Sequence, residues 1–161
     1  MGPVLVAYAT KHGSTAEVAG DIAEELRERG LEVEVAAARD VEDLEGYSGV
    51  VVGGAIYMGR WHHDARRFLG RNRRALADVP FAVFGMGPLT TSDDDAHEAR
   101  RQLDRALAGV HGLRPARVAV FGGVVDPSKL RFPFNRMEAT DARDPEAIRA
   151  WADEVADLVG A

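Results

Sequence analysis

The chain has 161 residues, of which 46% are hydrophobic and 29% charged, which fits a single domain spanning 1–161 with a sizeable core. Its formal charge of −6, from 26 acids against 20 Lys and Arg, disfavours nucleic-acid binding by the surface as a whole, and no nucleic-acid motif stands out. Cysteine is absent, which excludes disulfides, cysteine-ligated iron–sulfur clusters and thiol catalysis, and agrees with a reducing, cytoplasmic setting.

The N-terminus shows no secretory leader pattern, and no apolar run approaches the roughly 20 residues of a membrane helix. From the N-terminus, "PVLVAYA" (3–9) reads as a buried strand. Residues 15–29 follow as a helix with Val18, Ile22 and Leu26 on one face, closed by Gly30. "LEVEVAAA" (31–38) alternates as a second strand, and "GVVVGGA" (49–55) is continuous, as a central parallel strand should be. Residues 62–77 read as one helix carrying Phe68, Leu69 and Leu76. "PFAVFGM" (80–86) is the fourth strand, 94–109 a helix with Ala99, Leu103 and Leu107, and "ARVAVFGG" (116–123) the fifth strand. A last helix, 145–159, has Pro145 in its first turn and Ile148, Trp151, Val155 and Leu158 facing inward. Strands alternating with helices predict an α/β fold, a doubly wound parallel sheet with helices on both faces. Such sheets bind ligands beyond the carboxyl ends of their strands, which directs attention to 10–15, 54–61, 86–93 and 122–144.

"TKHGST" (10–15) offers three hydroxyls, from Thr10, Ser14 and Thr15, with Gly13 to turn the chain and Lys11 and His12 to add charge. It opens directly into a helix, whose free N–H groups and dipole suit a phosphate. An ordinary Ser or Thr helix cap accounts for part of the same pattern. The loop matches neither GxxxxGK[ST] nor GxGxxG, which argues against a nucleoside triphosphatase or a dinucleotide site. In "GGAIYMGRWHH" (53–63), Tyr57, Met58 and Trp61 stand among glycines and suit a flat ligand, or else cap the sheet end as packing residues. "GMGPLTTSDDD" (85–95) is again rich in glycine and small polar residues whose backbone suits the polar edge of a ring. No metal site is expected.

The three loops together resemble the flavodoxins, whose phosphate loop has the form [ST]-x-T-G-x-[ST]; here it stands as Thr10-Lys11-His12-Gly13-Ser14-Thr15, with His12 in place of a threonine. "YSGVVVGGAIYMGRWHHDARRFL" is similar to the flavodoxin-domain branch that includes menaquinone-dependent protoporphyrinogen oxidase, through Gly53, Ala55, Ile56, Gly59, Trp61 and His62. The resemblance implies a flavodoxin-like five-stranded sheet of order 2-1-3-4-5 with FMN as cofactor. It places the phosphate on 10–15 and the ring among Ala55, Ile56, Tyr57, Met58, Gly59 and Trp61 on one side and Gly85, Met86, Gly87, Pro88 and Leu89 on the other. It further implies a flavin oxidoreductase, with a quinone, a porphyrin-type substrate or a redox partner protein as its partners. His62 is the one proton-relay candidate, with a helix cap as its plainer role. An electron-carrying flavodoxin without its own substrate and a flavin-free binding module are the alternatives.

Two further stretches bear on partners. Residues 60–74 hold six arginines against one acid, Asp64, a basic region suited to an anionic partner or to a solvated helix face on which Arg67, Arg71 and Arg74 align. The stretch 124–144 is shorter than the insertion of the resembling oxidases, yet interleaves Leu130, Phe132, Phe134 and Met137 with Lys129, Arg131 and Arg136. It reads either as a cover over the sheet edge or as a surface for peripheral contact with the inner face of a membrane.

Overall fold

The computed structural model describes residues 2–10, 13–57, 59–87, 93–110, 113–125 and 140–160. The first half of the chain comprises Val4–Ala9 (β1), Ser14–Glu28 (α1), Val33–Ala37 (β2), Gly49–Tyr57 (β3), Arg60–Trp61 (β4), His63–Arg71 (α2) and Arg73–Leu76 (α3). Phe81–Met86 (β5), Asp93–Ala108 (α4), Arg117–Phe121 (β6), Val124–Val125 (β7), Thr140–Asp141 (β8) and Pro145–Val159 (α5) complete it. The main sheet runs β2-β1-β3-β5-β6, with all four of these pairings parallel. That is the order the family resemblance implies, the fourth and fifth strands of the sequence being β5 and β6. The two residues of β4 add an antiparallel strand to the end of β3.

Alternation along the strands feeds two cores. Val4 and Val6, Val51, and Ala82, Phe84 and Met86 face α1 and α5, where Val18, Ile22, Leu26, Ile148 and Val155 are buried. Leu5, Ala7 and Ala9, Val50 and Val52, and Phe81 and Val83 face the other way, against Phe68, Leu69, Leu76 and Leu103. Central strands buried on both sides have no polar positions to spare, hence their continuous apolar runs. Each large side chain buried in this way contributes about 1.5–3 kcal/mol relative to its exposed state. In the first core Phe84, Phe121 and Trp151 meet with ring centroids 5.7–5.9 Å apart, two of the three contacts edge-on.

The helix expected over 62–77 is two helices. The buried side chain of Asn72 donates from Nδ2 to the Phe68 carbonyl at 2.9 Å, and its backbone N–H reaches the same oxygen at 3.1 Å. That closes α2, and α3 restarts with the Leu76 N–H donating to the Asn72 carbonyl at 2.9 Å. The ends of the 124–144 stretch pair as the ribbon β7–β8, with Val124 opposite Asp141 and Val125 opposite Thr140. Arg143 fastens the base of this ribbon to the first turn of α1 through an ion pair with Glu17 at 2.5 Å. Lys129, Leu130, Arg131, Phe132, Phe134, Arg136 and Met137 lie outside the described residues.

Candidate cofactor site

β1, β3 and β5 are neighbours, with Ala9 opposite Gly54 and Ala55 opposite Met86. The chain therefore leaves the sheet after each of them along one edge, on strands about 4.8 Å apart. After β1, Thr10 Oγ1 accepts a hydrogen bond from the Gly13 N–H at 2.9 Å, and Gly13 takes φ of 98°, a left-handed conformation that costs a residue with a Cβ about 1–2 kcal/mol. α1 begins at once with Ser14 and Thr15. No side chain among the described residues caps it, so the plain cap reading of these hydroxyls does not hold. The turn closes with the Glu17 N–H donating to Gly13 O at 3.2 Å, which leaves the N–H groups before it directed at the loop.

Thr15, second residue of α1, is fully buried, and its Oγ1 has no hydrogen-bond partner among the described residues. The only other such atom among them is Trp151 Nε1 in the aromatic cluster of α5. A buried hydroxyl without a partner costs about 1–3 kcal/mol. An acceptor oxygen seated on the helix end relieves that cost and meets the positive end of the helix dipole at the same time. The donor set of Thr10, Ser14, Thr15 and the helix N–H groups therefore fits a phosphate. Lys11 and His12, the remainder of this loop, lie outside the described residues.

After β3 the chain reverses in a two-residue hairpin. Ile56 pairs with Trp61 and Tyr57 with Arg60, while Gly59 takes φ of 79°. This reversal separates the two aromatics assigned to a flat ligand. Tyr57 is 39% exposed, at the strand tip. Trp61 is 1% exposed, folded back under β3, where its Nε1 donates to the carbonyls of Gly54 (3.1 Å) and Phe84 (3.2 Å). Gly54 makes room for the indole, since a Cβ there would lie 2.6 Å from Nε1. Trp61 is thus a packing residue that clamps β3 to β5, while Tyr57 is exposed at the strand tip. Ala55 and Ile56 are half-buried beside it, and Met58 lies outside the described residues.

Gly85 and Met86, which the sequence places both at the end of the fourth strand and at the start of the loop stretch after it, are inside β5, paired with Gly54 and Ala55 on one side and Val120 and Phe121 on the other. They belong to the ladder, and Ile56 covers Gly85, its Cδ1 standing 2.8 Å from where a Cβ would be. Gly87, at φ of 137°, still donates its N–H to the Phe121 carbonyl at 2.8 Å. Pro88 and Leu89 lie outside the described residues.

His62 caps α2, its Nδ1 accepting from the Asp64 N–H at 3.0 Å, and its own N–H donates to Ala55 O at 2.8 Å. An accepting Nδ1 holds the ring in one tautomer and fixes the start of the helix, so the cap, not the proton relay, is its structural role. The basic stretch also divides. Arg66 Nε donates to the Trp61 carbonyl at 3.1 Å, and an Nη of Arg71 donates to the carbonyls of Ala38 (3.2 Å) and Val41 (2.9 Å). With α2 ending at Arg71, the single stripe of Arg67, Arg71 and Arg74 does not form. Arg105 on α4, which sequence reasoning passed over, joins Arg66, Arg67 and Arg73 beside one groove. Its signal was there to find, because no acid stands three or four residues from it along the helix.

The fold and this edge define a doubly wound α/β protein that takes a phosphorylated flat cofactor where its strands end. A family profile described as "Flavodoxin domain" matches residues 5–137, and the chain belongs to that family. FMN is the cofactor that membership implies. The chain is 28% identical over 134 residues to the Escherichia coli (strain K12) protein named protoporphyrinogen IX dehydrogenase [quinone], a match covering 82% of this chain and 71% of that one. Among solved structures it resembles oxidised flavodoxin 1 from Bacillus cereus, with a TM-score of 0.62 and 18% identity over 97% of this chain and 98% of the other. A flavodoxin from Pseudomonas aeruginosa, solved as a point mutant, gives a TM-score of 0.60 at 18% identity, with 99% of each chain covered. These two likenesses are of fold.

Proposed function

We propose that the protein is an FMN-dependent oxidoreductase that dehydrogenates a reduced tetrapyrrole and passes the electrons to a quinone. The observation that carries this reading is the match to the E. coli quinone-linked dehydrogenase across 82% of this chain, beside a flavodoxin-domain match over 5–137 that takes in the phosphate loop and the β3–β4 hairpin. Bound FMN supplies the hydride and electron chemistry; the chain binds it, orients it and keeps water from part of its surface. Thr10, Ser14 and Thr15 hold the phosphate, with Lys11, His12 and Gly13 completing the loop. Tyr57 lies against the ring face, with Ala55, Ile56, Met58 and Gly59 around it. The segment from Gly87 through Pro88 and Leu89 supports the opposite edge. Trp61 acts one layer below, keeping the hairpin tip in place.

No helix among the described residues is long and apolar enough to cross a membrane. We place the protein in the cytoplasm with peripheral contact at the inner membrane face, where a quinone acceptor is met. The test is anaerobic turnover of the FMN-loaded protein with protoporphyrinogen as donor and a menaquinone analogue as acceptor. Donor-dependent quinone reduction supports the reading. Reduction of the flavin only by a reductase protein, with no turnover of either small molecule, would make the chain an electron carrier instead.

A further inference from the structure

Beside the β3–β4 hairpin, a groove of about 460 Å³ runs between α2 and α4. Its basic lining is His63, Arg66 and Arg67 from α2, Arg73 from α3 and Arg105 from α4, and no acidic side chain lines it. The one acid of α2, Asp64, is not part of the lining. In a chain of net charge −6 this concentration is not an average of the surface.

The other arginines of α4 show what neutralisation looks like here. Arg100 pairs with Asp104 at 3.0 Å and Arg101 with Glu98 at 2.5 Å, both within the helix. Arg101 is the main cause that holds the Glu98 carboxyl below its usual range, with Gln102 also contributing. None of the ion pairs among the described residues takes in Arg66, Arg67, Arg73 or Arg105. Four guanidinium groups face one concavity with no ion pair among them, the longer-range attraction between Arg105 and Glu98 offsetting only part of their mutual repulsion, and a bound anion removes that repulsion.

Gly70, an exposed residue of the lining, carries a second sign. Gly70 lies within α2, where glycine costs about 0.5–1 kcal/mol relative to alanine. Its φ is not left-handed, and a Cβ built on it meets nothing within 4 Å, so neither backbone conformation nor packing calls for glycine there. What the missing side chain does leave is open space along the groove lining.

We propose that the α2–α4 groove is an anion-recognition site, separate from the flavin pocket, for a molecule carrying two or more clustered phosphate or carboxylate groups. Arg67 and Arg105 grip the anion from opposite helices, their planar forks suited to bidentate contact. Arg73 contributes charge at the far end. Arg66, whose Nε is committed to the Trp61 carbonyl, links the groove to the hairpin that carries Tyr57.

The test uses full-length, FMN-loaded protein, titrated by calorimetry with inorganic tripolyphosphate and with citrate, and by co-sedimentation with phosphatidylglycerol vesicles. The variants are the pair Arg67→Gln/Arg105→Gln, Gly70→Leu to fill the groove without changing charge, and Arg100→Gln/Arg101→Gln as a control that removes the same charge outside it. The site requires saturable binding that falls about tenfold or more in the first two and less than about twofold in the control, with FMN affinity unchanged throughout. That pattern with the soluble anions assigns a small-molecule source, and the same pattern with vesicles alone assigns a lipid headgroup. No binding, binding insensitive to Gly70→Leu, or an equal loss in the control overturns the proposal.

Discussion

Thr15→Val separates the two things a buried threonine can be. Valine keeps the shape and helix propensity of threonine and removes one hydroxyl. If Oγ1 is an acceptor and donor kept for the cofactor, its removal has opposite effects on the two states of the protein. In the cofactor-free form a fully buried oxygen without a partner disappears. Leaving such a group unpaired costs about 1–3 kcal/mol, so apo Thr15→Val unfolds at equal or higher urea concentration than the apo wild type. In the FMN-bound form a hydrogen bond to a charged phosphate is lost. Such bonds contribute about 1.5–3 kcal/mol, which corresponds to an FMN dissociation constant about 10- to 150-fold weaker. Urea denaturation of the apo proteins reads the first effect, and quenching of FMN fluorescence reads the second. A variant that is less stable without cofactor and binds FMN as the wild type does would refute the reasoning, because Oγ1 would then serve the fold.

Trp61→Phe removes the indole donor and leaves the Gly54 and Phe84 carbonyls short of a partner. Stability should fall by about 1–3 kcal/mol, or roughly 2–9 °C in thermal midpoint, while FMN affinity of the folded protein changes less than about threefold; Tyr57→Ala should show the reverse pattern. His62→Ala should lower the urea midpoint through loss of the α2 cap, a cost of about 0.5–2 kcal/mol, with His62→Asn restoring most of it. The Tyr47 hydroxyl donates to Glu34, and that bond, with burial second, pushes its pKa from the ordinary 10 up to about 12. Because the folded value is the higher one, the bond's stabilisation is complete below pH 10 and is lost as pH rises from 10 to about 12. The difference in urea midpoint between wild type and Tyr47→Phe should shrink across that window; a difference that stays constant would contradict the assignment.

The strands and their two-sided burial were legible, and residues 10–15 stood out as a candidate anion seat, because each rests on a local signal, whereas the strand order came from the family resemblance. Continuous apolar runs at β1, β3 and β5 mark two-sided burial, and a hydroxyl-rich turn opening a helix marks an anion seat. Trp61 was misplaced because an aromatic in a glycine-rich loop has the same composition whether it stacks on a ligand or folds under its own strand. What distinguishes the two is the two-residue reversal around Gly59, which brings Trp61 opposite Ile56, and the room left at Gly54. Both are pairings across the hairpin that a one-dimensional reading does not weigh. Asn72 broke a helix whose apolar spacing continued through it, since a side chain closing its own helix end leaves no trace in hydrophobic period. The groove escaped notice for a related reason. Arg105 lies far from 60–74 in sequence, and only the packing of α2 and α4 on one face of the sheet sets it beside Arg66, Arg67 and Arg73.

Comparing FMN with riboflavin, which differs from it by the phosphate alone, tests the flavin site most directly. Titration of the apoprotein with each should show FMN binding at least about a hundredfold more tightly, as two charge-assisted hydrogen bonds to a phosphate would supply. In Ser14→Ala/Thr15→Ala that gap should close to within about tenfold, with riboflavin affinity unaltered. Equal affinity for the two flavins in the wild type, or a gap that survives in the double variant, would place the phosphate somewhere other than residues 10–15.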